Sequence, residues 1–116
     1  MTRDRIDGEM TRFKLANIQF GKAQDHAQKC AEFAQYAIET VDVRLTSRTA
    51  LHKAEMHANI AQDIVNEILS DCKHPETDSN DLLLAIDNMV HAARHLGEMT
   101  AFTVTAACVE VLRVWP

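Results

Sequence analysis

The chain is poor in the residues that make turns and in those that fill large cores. Of its 116 residues only 3 are glycine and 2 proline, and aromatic side chains make up 5%. A β-sandwich needs many turns and many aromatic and β-branched residues, so this composition excludes most all-β architectures. No stretch approaches about 18 uninterrupted apolar residues, so no membrane span is expected. The opening MTRDRIDGEM is charged where a secretory signal would be apolar, which points to the cytoplasm. Three cysteines, Cys30, Cys72 and Cys108, are odd in number and far apart. Neither a secreted disulfide framework nor a zinc ribbon has that pattern. They read as small buried apolar side chains of a protein kept reduced.

Catalytic signatures are missing too. The sequence holds no G-x-S-x-G, no glycine-rich phosphate loop and no H-E-x-x-H. The E-x-x-H pairs of carboxylate-bridged metal bundles are also absent. His26 precedes Cys30 by four residues, but Cys30 lies on a packing stripe, where burial raises a thiol pKa and quiets it. The chain is therefore expected to be no enzyme and to carry no cofactor. Its net charge is −5, and the acidity is uneven: residues 1–53 carry +2 and residues 54–116 carry −7. Nucleic-acid binders draw their affinity from phosphate neutralisation, so direct DNA binding is not expected. An acidic half suits a basic protein surface instead.

What the chain does have is helical periodicity in an ordinary globular composition, 47% hydrophobic and 25% charged, with sixteen alanines. Residues 1–8 read as a loose, charged start. A short helix is expected over 9–20, ended by Gly21. Ala23, Ala27, Cys30, Ala34, Ala37, Val41 and Leu45 then recur at steps of three and four, giving a second helix over 22–45. Thr46 and Ser47 are good N-cap types for a third helix. Its stripe, Leu51, Ala54, Ala58, Ala61, Val65, Ile68 and Cys72, is a seven-residue repeat. Residues 73–80 (KHPETDSN) form the one clear loop, with Asp78, Ser79 or Asn80 capping a last helix from about residue 81 to 111 or beyond. That helix carries two apolar stripes, Leu82–Ile86–Met89–Ala93–Leu96 and Leu83–Val90–Gly97–Ala101–Val104–Cys108–Val111, and Gly97 reads as a kink or a close-packing point. Residues 109–115 are β-branched enough to form an edge strand as an alternative to helix. The expected fold is all-α: a single domain over residues 1–116, with three long antiparallel helices and one short N-terminal helix, as a homodimer.

Apolar residues off the packing stripes supply the candidate site. Phe33 and Tyr36 lie beside the stripe of the second helix, Ile60 and Ile64 flank that of the third, and Phe102, Leu112, Val114 and Trp115 crowd the C-terminus. In the bland reading they cover one another inside one bundle. In the functional reading they are partner anchors, because a thin layer of long helices shelters only one face. Glu67, Asp71, Asp87 and Glu98 would steer the chain toward a basic target. His91, His95 and Glu98 share one helix face at metal-ligand spacing, a weak candidate metal site whose plainer reading is a solvated strip.

The helix TALHKAEMHANIAQDIVNEIL and the later NDLLLAIDNMVHAARHLGEM, which follows a polar loop, carry a resemblance. With its size and acidity, the chain resembles small all-helical bacterial regulatory proteins, among them the quorum-sensing antiactivators of pseudomonads (the QslA type). The likeness covers about half the chain and is one of pattern, so it assigns no binding residue. It implies a dimer that sequesters a transcriptional activator and blocks its dimerisation or its DNA binding. Two other readings remain at this stage: a phage or plasmid inhibitor of a host defence or nucleic-acid enzyme, and a metal-binding bundle built on His91, His95 and Glu98.

Overall fold

The structure is a computed structural model that describes residues 3–116, with side chains from Gly8 onward. Three helices run up, down and up: α1 (Arg3–Glu39), α2 (Arg44–Asp71) and α3 (Asn80–Val114). At 1.5 Å per residue their lengths approach that of the molecule, a rod of 61 × 16 × 16 Å. The radius of gyration is 18.0 Å, against roughly 13 Å for a compact domain of this length. α1 and α2 pack the most closely, with α3 laid along them.

The sequence suggests a short first helix broken from a second at Gly21, whereas α1 is continuous. A helical glycine costs only about 1 kcal/mol relative to alanine. Against that, the apolar repeat runs unbroken through the glycine, from Phe13 and Ala16 by Phe20 and Ala23 to Cys30, Ala34 and Ala37. The same continuity carries the helix outward through residues 3–8, which the sequence reading leaves loose, because adding a residue to an existing helix is cheap. Residues 1 and 2 lie outside the described residues.

At the other end, α1 stops at Glu39 rather than near residue 45, and α2 begins at Arg44 after a turn. Leu45 is therefore not on the α1 stripe; it is 79% exposed at the start of α2. Nor does Ser47 cap its own helix. It is fully buried, and its hydroxyl donates to the carbonyl of Ala37 at 2.7 Å. That carbonyl belongs to the last turn of α1, where helical partners run out, so Ser47 closes the C-terminus of the preceding helix. Ser79 does cap α3, its side chain accepting from the amide of Leu82. Helical structure continues to Val114, so residues 109–114 form helix and not a strand.

The core forms two apolar clusters along the rod. Ala16, Ala23, Val65, Ile68, Cys72, Leu82, Ile86, Met89 and Ala93 form one. Cys30, Ala34, Ala37, Ala50, Leu51, Ala54, Ala58, Ala107 and Val111 form the other. α1 and α2 keep strict heptads throughout. In α3 the buried line is Leu82, Ile86, Met89, Ala93, Gly97, Thr100, Ala107 and Val111. Two steps of four meet at Ala93, a local departure from the heptad. The core line thus follows the first stripe as far as Ala93 and then shares only Gly97 and Val111 with the second; Thr100 and Ala107 lie on neither stripe, and Ala101 of the second is exposed. Gly97 is the close-packing point: a Cβ there would stand 3.2 Å from Gln62 Oε1 and 3.4 Å from Val65 Cγ1. Gln62 Nε2 donates to the Gly97 carbonyl at 2.5 Å.

Candidate functional site

Four of the seven anchor candidates lie on the surface. Tyr36 is 50% exposed, Ile60 39%, Phe102 67% and Leu112 48%. Phe102 and Val109 are seven residues apart on the outward side of α3, and no charged residue occurs between Met99 and Val109. This part of α3 is uncharged around its whole girth, with Thr103 and Thr105 among its apolar side chains. One side serves the bundle and the other faces solvent, as a helix needing a second partner would.

The remaining three are half-buried and make specific contacts within the chain. Ile64 packs with Phe13 and Phe20 against the first cluster. Phe33 packs against the second cluster, lies parallel to the His57 ring with centroids 5.7 Å apart, and has the Lys53 ammonium over its ring, 5.5 Å from the centroid. Trp115 caps the second cluster. Its indole Nε1 donates to the Val41 carbonyl in the α1–α2 turn. The Arg44 guanidinium sits 5.8 Å from its ring, and Arg48 donates to its carbonyl at 3.4 Å. The C-terminus is thereby tied to the far end of the α1–α2 hairpin, a role the sequence reading did not give it.

The sequence reading also missed the pairing of His26 with His57, whose Nδ1 atoms lie 3.0 Å apart across the α1–α2 seam. The ring centroids are 5.2 Å apart with planes 26° from parallel, so the rings meet nitrogen to nitrogen rather than face to face. One nitrogen must donate and the other accept. Burial, then His26, then Lys29 hold the His57 pKa below its ordinary 6.5. Two histidines 31 residues apart give no spacing signal; only the antiparallel register of α1 and α2 brings them together. With His26 committed to His57, Cys30 stays in the core and burial alone pushes its thiol up. Cys72 is raised by burial, by Asp71 and by Glu9, and Cys108 by burial and by Glu55, to which its Sγ donates at 3.5 Å.

His91, His95 and Glu98 lie on the exposed side of α3, and His91 faces Asp87 at 3.5 Å. Among the described residues, no group of three or more His, Cys, Asp or Glu side chains is placed to hold a metal ion. No helix among them is long and apolar enough to cross a membrane. The concavities are open grooves between helix pairs. No family model, curated protein or solved structure matches the chain.

Proposed function

We propose that the chain is a non-enzymatic protein-binding regulator that acts by occlusion, as a homodimer in a reducing compartment. The observation that carries this reading is the exposed apolar surface of a thin rod: Tyr36, Ile60, Phe102, Val109 and Leu112 are all at least 39% exposed. Single exposed apolar residues are ordinary, but a charge-free stretch of α3 with Phe102 and Val109 turned outward is a helix face awaiting a partner. Three thiols held in their protonated form agree with a chain whose work is contact rather than chemistry. A partner held against these faces would lose its own dimer surface or its access to DNA, which is how an antiactivator works.

The test is to remove the anchors. Phe102→Ser combined with Leu112→Ser should leave helicity intact, because both side chains face solvent. Association, of the chain with itself or with a captured activator, should weaken at least about tenfold, or roughly 1.4 kcal/mol. Lost helicity would assign these residues to the fold, and unchanged association would remove them from the interface.

A further inference from the structure

A groove of about 680 Å³ lies between the end of α2 and the start of α3. Its apolar lining is Leu69, Cys72, Pro75, Leu83, Ile86 and Val90. Cys72 and Ile86 are buried at the floor, and the other four are half-buried. From Leu83 to Arg94 the α3 wall spans eleven residue steps, about 16 Å, or three turns of a helix. The elements that form the groove are rich in exposed carboxylates. Asp63, Glu67 and Asp71 on α2, Glu76 and Asp78 in the loop, and Asp81 and Asp87 on α3 are all exposed. Lys73 and Arg94 line the groove beside Asp87. They are the only lysine or arginine side chains between residues 63 and 94, so even with both counted this segment carries −5, as much as the whole chain.

We propose that this groove docks a basic amphipathic helix of a protein partner. The inference rests on the reading of the chain as a protein-binding regulator and places the partner on it. An apolar trough between two helices receives the apolar face of a third at positions three and four residues apart. The acidic rim then meets lysine or arginine on the flanks of that helix, speeding encounter and making it salt-dependent. A nucleic acid or an anionic membrane would meet repulsion here. A second copy docked by the same groove would set two acidic rims against each other.

The experiment titrates the full-length chain into a labelled synthetic helix of about four turns, with leucines along one face and lysines on the rest, and reads fluorescence anisotropy. A matched peptide with glutamate for lysine is the control. The lysine peptide should bind and the glutamate peptide should not. Val90→Asp should weaken binding at least tenfold, and Phe102→Ser, outside the groove, should not change it. Should Val90→Asp fold poorly by circular dichroism, the pair Asp71→Lys and Asp87→Lys, at exposed positions, decides the matter. It should weaken binding about tenfold at low salt and flatten the salt dependence. No binding of the lysine peptide, equal binding of the glutamate peptide, or indifference to both sets of substitutions would overturn the proposal. If the peptide is ignored while Phe102→Ser with Leu112→Ser still abolishes association, the groove assignment falls and the regulator reading stands. If both fail, the regulator reading falls with it.

Discussion

Two side chains show how single residues set the register of this rod. Ser47 is fully buried and spends its hydroxyl on Ala37. Ser47→Ala leaves that helix-terminal carbonyl without its partner in a dry site, a loss of about 1–3 kcal/mol. Urea unfolding should show that loss with an unchanged m-value. The His26–His57 contact holds with both rings neutral or with one extra proton, but not with both charged, because each Nδ1 then carries a hydrogen. The folded-state pKa of His57 is depressed, so below about 6.5 the unfolded chain binds more protons than the folded one. Stability from this site is complete above that pH and is lost as the pH falls below it. Thermal unfolding between pH 7.5 and 5 should show a falling Tm, and His57→Leu should flatten that slope. An equal slope in the variant would detach the pH response from this pair. Neither role was legible locally: Ser47 reads as an N-cap by type, and the histidine pair exists only once two helices are aligned.

Among the elements, α2 was the most legible, because Leu51 through Cys72 repeat without interruption and every one of those positions is buried. In α1, Gly21 reads as a stop by residue type, but the apolar repeat on either side of it is in phase and carries the helix through. The glycines now separate by environment. A Cβ at Gly21 meets nothing within 4 Å, whereas one at Gly97 presses on Gln62 and Val65. Gly21→Ala should therefore stabilise by up to about 1 kcal/mol. Gly97→Ala should gain less or lose stability, because Gln62 must move and its bond to the Gly97 carbonyl is disturbed. Chemical denaturation of the two variants side by side checks the ordering. α3 was legible as helix but not as a core line. Its two stripes are visible in sequence, but the buried line shifts at Gly97 onto Thr100 and Ala107, which neither stripe contains.

For the whole molecule, the all-α architecture follows from periodicity and from the scarcity of turn residues, whereas the use of its surface depends on neighbours that no single-chain pattern records. Phe33, Ile64 and Trp115 are spent partly inside the bundle, on His57, the first cluster and Val41 respectively. Tyr36, Ile60, Phe102 and Leu112 are not. A rod only 16 Å across has no depth in which to hide them. Molar mass by light scattering, over protein concentrations from about one to several hundred micromolar, asks directly whether that surface is shared. The account predicts a mass above the 13.0 kDa of one chain, falling back to it in Phe102→Ser with Leu112→Ser. A wild-type mass that stays at one chain throughout would contradict it.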